Sequence, residues 1–332
     1  MQSLKPQRRR SISYAKYGYF FILPFFITYV FFMLYPLINT ILLSFKGNGT
    51  SADASVGFQN YQYLLVGGSR PAQAIHEEFV RSFKNTIILW FGNFIPQIIL
   101  SLLLAVWFTD TKVKIKGTGA FKVIMYMPNI ITATSVCALF FILFANNKYG
   151  AVNAMLLDMG SIAEPIRFVN DVTSSRVLVM FIQTWMWFGN TMILLMSGIM
   201  GIDLSLFEAA SIDGASSGQV FFRITLPLLK PIFIYVLITS MIGGLQMFDI
   251  PYLFHEGTAI QKQLETVAVF VYSHFHLQNP NYGYSAAASV VLFIITGVLG
   301  ILIYRFNTTG EDRAAAKRDR KRSKNSKLLG GL

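Results

Sequence analysis

YGYFFILPFFITYVFFMLYPLINTILLSF, Tyr17–Phe45, runs for 29 residues without a Lys, Arg, Asp or Glu. A helix needs about 20 apolar residues to cross the ~30 Å hydrocarbon layer of a bilayer, so this stretch is long enough to span one. Five further gaps in the charge map follow it. They are Asn85–Thr109, Val123–Asn147, Val177–Ile202, Pro231–Phe248 and Thr266–Tyr304, the last apolar only from about Ser285. None shows the period-two alternation of barrel strands. Inside lipid only helices and closed barrels satisfy their own backbone hydrogen bonds. The expectation is an all-α integral membrane protein of six transmembrane helices, with spans near 17–45, 85–109, 123–147, 177–200, 231–249 and 285–304.

The composition agrees. Of 332 residues, 54% are hydrophobic and only 13% charged, against about 25% charged in soluble domains. These figures argue against a soluble enzyme, a disordered chain and a disulfide scaffold. The single cysteine, Cys137, lies within an apolar run and reads as a buried thiol. With both termini on one side, 20 of the 28 basic residues share that side and 8 fall opposite. The positive-inside rule then makes both ends cytoplasmic, with basic tails at 1–16 and 305–332 and the protein in the bacterial cell membrane. The net charge of +12 follows from this topology, and the tail Arg313–Lys327 reads as an anchor to anionic headgroups rather than a nucleic-acid arm. The first span begins like a signal peptide, but it is too long and no small-x-small cleavage site follows, so it reads as a permanent anchor.

No catalytic constellation stands out. GxxxxGK[ST], HExxH, CxxC and GxSxG are all missing. The four histidines, His76, His255, His274 and His276, fall in outer segments and read as solvated side chains, not as a metal site. Ion-driven carriers hold acids or bases within their spans. Here only Asp249 comes near, at the outer end of the fifth, so a pump built on this chain draws its energy from another polypeptide.

The longest inner segment reads GIDLSLFEAASIDGASSGQVFFRITLPLLK, Gly201–Lys230. Ser205 with Glu208, and Ser216 with Gln219, each fit a capping box. Gly214 stands between them where a left-handed turn ends a helix, and Pro227 ends or kinks the second helix. A helical hairpin is expected, with Phe207, Ile212, Val220, Phe221 and Ile224 as an exposed apolar face that suits a partner.

EAASIDGASSGQVFFRITLPLLKP, Glu208–Pro231, resembles the EAA loop of binding-protein-dependent ABC importer permeases. The likeness extends over nearly the whole chain. Tyr19–Phe45, GFQNYQYLL, the pair Asn85–Thr86, Tyr126–Phe144 and GLQMFDIPYLF at Gly244–Phe254 resemble the maltose-F and glycerol-3-phosphate-A type of carbohydrate permease. After that last segment many members read T.GGP where this chain has HEGTAIQK, a departure that bears on the substrate rather than the fold. The resemblance implies a type I importer permease fold. It implies that Glu208, Ala209, Ala210, Asp213, Gly214, Ile224, Leu226 and Pro227 couple the spans to an ATPase. It further implies a second homologous permease, a cytosolic ATPase dimer that alone holds ATP and Mg, and an extracellular or periplasmic sugar-binding protein. This chain would bind no cofactor and catalyse no chemistry. Sugars offer C–H faces and hydroxyls, so Trp185, Trp187, Asn190, Gln246, Asp249 and Tyr252 are the candidate substrate path. Trp185 and Trp187 read equally as interfacial aromatics, and Gln246 as a bond between helices. A non-sugar importer permease, an ion-coupled carrier and a membrane enzyme remain as alternatives at this level.

Overall fold

The computed structural model describes residues 15–48, 51, 54–110, 116–257, 261–276 and 281–307; the two basic tails expected from the sequence lie almost wholly outside these. Among the described residues every extended regular element is a helix, as a backbone deprived of water requires.

The chain opens with α1 (Ala15–Tyr29), a π turn (Val30–Leu34) and α2 (Tyr35–Leu43), which form one rod. The π turn lies just before Pro36, whose ring would clash with the carbonyl four residues back in a tighter coil. From Tyr17 to Leu43 no residue of the rod is buried against the rest of the chain. The short α3 (Gln59–Leu65) is fastened beneath it by the buried Asn60. The Asn60 amide donates to the carbonyls of Ser44 at 2.8 Å and Lys46 at 2.7 Å.

Next comes α4 (Arg70–Thr109), 40 residues long, or about 60 Å at 1.5 Å per residue. The sequence placed this crossing at 85–109. The absence of charge marks only the part able to sit in lipid, and the helix continues through the polar stretch Arg70–Lys84. A second departure follows. Val123–Asn147, expected as one crossing, is instead α5 (Thr118–Tyr126), a 3₁₀ turn (Met127–Ile130) and α6 (Ala133–Leu143), bent by 95°. Pro128 cannot donate to a continuing helix. Thr132 restarts it by accepting from the Ser135 amide.

After α7 (Ala151–Asp158), the helix α8 (Val172–Met200) begins at Asp171, whose carboxylate accepts from the Ser174 amide at 2.8 Å. A hairpin of α9 (Leu204–Ile212) and α10 (Ser217–Val220) leads through a π turn and α11 (Leu226–Leu228) into α12 (Lys230–Leu245). The remaining elements are α13 (Asp249–Gly257), α14 (Gln261–Leu264), α15 (Val267–Phe275) and α16 (Tyr282–Asn307). Among the described residues five helices are long and apolar enough to cross a membrane, and the bent α5–α6 pair makes six if it counts as one crossing.

The spine is α4 packed along α8. Between helices in lipid, close packing and polar contacts replace the hydrophobic drive. Ser101 donates to the Phe188 carbonyl at 2.7 Å, and Thr184 to the Asn93 carbonyl at 3.1 Å. Gly189 lies directly against the Met125 carbonyl, and Gly244 on α12 against the Trp90 ring, with no room for a side chain at either. At one end of the spine, Asn85 donates to the carbonyls of Lys262 and Glu265, and Thr86 accepts from the Val267 amide at 2.9 Å. This pair therefore clamps the segment before α15 onto α4.

Candidate functional site: a polar cavity and a helical hairpin

A cavity of about 500 Å³ opens between α4, α8 and α12, within the usual range of small-molecule sites. From α4 it takes Asn93 and Gln97, which are four residues apart and so lie on one helical face. From α8 come Gln183, Met186, Trp187, Asn190 and Thr191; from α12 come Tyr235, Thr239 and Ser240. Gln97 donates to the Thr191 hydroxyl at 2.8 Å, and Asn93 to the Leu89 carbonyl at 3.0 Å.

The cavity floor is the break between α12 and α13. Here Gln246, Met247 and Phe248 leave the helix and Asp249 begins the next. Non-helical backbone is tolerated at membrane depth where it borders a cavity. Thr266 supports the break by donating to the Met247 carbonyl at 2.7 Å. Gln246 and Asp249 are exposed in this wall.

Four of the six path candidates, Trp187, Asn190, Gln246 and Asp249, line the cavity. Trp185 does not. It projects into the core, edge-on to Phe140 with ring centroids 5.7 Å apart, because two residues along a helix turn a side chain by about 200°, to nearly the opposite face from Trp187. Tyr252 also stands outside the wall. Its ring stacks on Phe248 at 4.9 Å and meets Tyr272 at 4.9 Å, so it backs the cavity instead of lining it. The α4 and α12 contributors escaped the sequence reading. Amides and hydroxyls inside charge-free runs, spaced for one helical face, were the available signal.

The second feature is the hairpin between α8 and α12. Ser216 accepts from the Gln219 amide and the Gln219 side chain accepts from the Ser216 amide at 2.8 Å, so the second capping box is formed. The first is not. Asp203, rather than Ser205, caps α9, accepting from the Ser205 amide at 3.0 Å. That bond holds the Asp203 carboxyl below the usual carboxylate range. Gly214 makes the turn at φ +72°, in the left-handed region glycine enters freely. Of the two outcomes expected at Pro227, the helix does not end there; the coil widens into a π turn just before the proline and the chain runs on through α11 toward α12.

Glu208, Ala209, Asp213, Gly214 and Pro227 are exposed, Ile224 and Leu226 half-buried, and Ala210 buried. The apolar face differs in membership from the expected one. Ile212 is 87% exposed and is joined by Leu206 and Phe222, whereas Phe207, Val220, Phe221 and Ile224 are half-buried. The π turn rotates the residues beyond Val220 relative to a plain helix, which the sequence spacing alone could not register.

The fold and the site have counterparts. Residues 86–309 match the model of the family described as "Binding-protein-dependent transport system inner membrane component". The lactose transport system permease protein LacF of Rhizobium radiobacter is 31% identical over 86% of this chain and 92% of its own length. The arabinooligosaccharides transport system permease protein AraP of Bacillus subtilis is 30% identical over 88% and 90%. A crystal structure of a bacterial ABC transporter involved in the import of the acidic polysaccharide alginate superposes with a TM-score of 0.75 at 24% identity, covering 88% of this chain and 95% of that one. A second structure of an alginate ABC transporter, in complex with an alginate pentasaccharide-bound periplasmic protein, gives 0.72 at 23%, over 89% and 96%. With its apolar helices, its cavity at a broken span and a family match over most of its length, this multi-pass membrane chain belongs to the binding-protein-dependent transport system inner membrane component family.

Proposed function

We propose that the chain is one of two homologous permease subunits of an ATP-driven importer for a sugar, in the oligosaccharide range. Both termini face the cytoplasm, as the distribution of basic residues favours. The cavity is its share of the translocation path. Trp187 offers an aromatic face to sugar C–H groups, while Asn190, Gln246 and Asp249 offer hydrogen bonds to hydroxyls. A receptor outside the cell delivers the sugar. The α9–α10 hairpin docks on a cytosolic ATPase pair through Glu208, Ala209, Asp213, Gly214 and the exposed Ile212, with Ala210, Ile224, Leu226 and Pro227 holding its shape. ATP and Mg are held by that ATPase, and this chain performs no bond chemistry of its own. Relatives named for lactose and arabinooligosaccharide transport support the substrate class.

The observation that carries this reading is the convergence of amides, hydroxyls and an indole on the break between α12 and α13. The test is ATP-driven uptake of labelled oligosaccharide by the complete importer in liposomes. Gln246→Ala is expected to lower uptake about ten-fold with the complex intact. Unchanged uptake would remove this cavity from the route.

A further inference from the structure

A second cavity, of about 430 Å³, lies along the side of α4, where Gln73, Glu77, Lys84 and Ile88 are joined by Arg81 and by Arg176 from α8. Its position is informative. Lys84 is the last charged residue before the charge-free stretch beginning at Asn85, and Arg176 the last before the one beginning at Val177. The groove therefore sits at the membrane boundary, on two helices at once.

Its cations are arranged and under-used. Arg176 is fixed, donating to Asn85 Oδ1 at 2.7 Å and to the Gln263 carbonyl at 3.2 Å. Arg81 reaches Glu265 only at 3.5 Å, and its Nε is buried without a hydrogen bond. Lys84 is exposed and has no ion pair among the described residues. The one acid of the lining, Glu77, accepts from Gln73 at 3.0 Å. With Glu265 set against Arg81 from outside the lining, three cations face two carboxylates, and the groove keeps an excess of positive charge centred on Lys84 and Arg176.

Below it, Ile88, Ile95 and Ile99 continue the same face of α4 as Lys84, and all three are exposed. Asn93 and Gln97, which line the transport cavity, lie about 140° and 180° round the helix from Ile88 at 3.6 residues per turn. The basic groove and its apolar continuation thus face away from the cavity, and the groove runs along the helix side, open laterally to the membrane.

We infer that this groove binds an anionic phospholipid, the phosphodiester lying among Arg81, Lys84 and Arg176 and an acyl chain along Ile88, Ile95 and Ile99. Phosphate takes the bidentate donors of arginine readily, and an apolar ladder directly beneath fits a lipid better than a soluble anion or a protein acid. In the orientation proposed above, the lipid belongs to the outer leaflet.

The test uses the whole importer in vesicles of phosphatidylcholine with a minority of phosphatidylglycerol. Lipid retained after mild extraction is counted by native mass spectrometry. The wild type is expected to keep phosphatidylglycerol in preference, Lys84→Gln to keep about five-fold less at one cation removed, and Lys84→Arg to keep it. Assembly and ATP-driven uptake by the variants confirm that the fold survives. Equal retention by wild type and Lys84→Gln would overturn the proposal. So would full displacement by glycerol phosphate in water, which would mark a soluble-phosphate site, or cross-linking of a cysteine at position 88 to another polypeptide, which would mark a protein interface.

Discussion

The side-chain amide of Gln97 on α4 donates to the hydroxyl of Thr191 on α8 at 2.8 Å, and both residues line the transport cavity. The bond ties the two helices of the spine where the cavity most needs a fixed shape. Polar contacts of this kind within membranes are worth about 0.6 kcal/mol on average. Gln97→Leu, Thr191→Val and the double variant should show a coupling energy near that figure in a thermal-unfolding cycle. Uptake should fall in the single variants more than stability does, since the pair also shapes the path. Strict additivity of the two substitutions would show that the bond does not couple the helices.

Gly189 makes a different kind of prediction. The atom its missing side chain would strike is the backbone carbonyl of Met125, just before the bend between α5 and α6. A flexible side chain could move aside; a carbonyl held between a helix and a 3₁₀ turn cannot. Gly189→Ala should cost about 1–3 kcal/mol, the range for overpacking, seen as a lower melting temperature of the purified complex. Gly297, which has open space where a side chain would begin, is the control, and Gly297→Ala should leave melting nearly unchanged.

These close contacts explain what could and could not be seen in the sequence. The crossings were legible because exclusion of charge from lipid is a composition rule that needs no partner. The hairpin was legible because Ser216, Gln219 and Gly214 act on neighbours within a few residues. The 95° bend was not, since Pro128 followed by Asn129 reads as readily as a mild kink in one long span. The far end of α4 was hidden because charge gaps measure the lipid-compatible part of a helix and not the helix. Trp185 and Trp187 stand on nearly opposite faces of α8 at about 100° per residue, so helix spacing allows only one of them into a cavity; which one it is needed the neighbouring helix, where Phe140 takes Trp185 into the core. The α4 side of the cavity, Asn93 and Gln97, needed the α4–α8 contact to become a site.

The hairpin can be tested without touching the transport path. Gly214 holds φ +72° with nothing near its absent side chain, so a substitution there acts through backbone strain alone. Gly214→Val should cost about 1–2 kcal/mol in that conformation. Because the hairpin stands apart from the core, the loss should appear as weaker ATPase docking, not as unfolding. Ile212→Ser, at an 87% exposed position, should leave melting unchanged and reduce the ATPase that co-purifies with the permease. Undiminished co-purification by both variants would place the docking surface elsewhere.

Glu265 gives the pH dependence its sign. Burial pushes its carboxyl above the usual carboxylate range, and the neighbouring Glu78 adds to the effect. The Arg81 guanidinium, 3.5 Å away, pulls the other way but is too distant to restore the ordinary value. A raised acid binds its proton more tightly in the folded chain than in the unfolded one, so this group's stabilising effect is fully present below the unfolded value of about 4.3. It is lost as pH rises through the folded value. Glu265→Gln removes the titration while keeping the shape. The melting temperature of the wild type relative to Glu265→Gln should therefore climb as the solution is acidified from neutral pH toward the unfolded value. A difference that stays flat, or that falls on acidification, would mean that the Arg81 pairing, and not burial, governs this carboxyl.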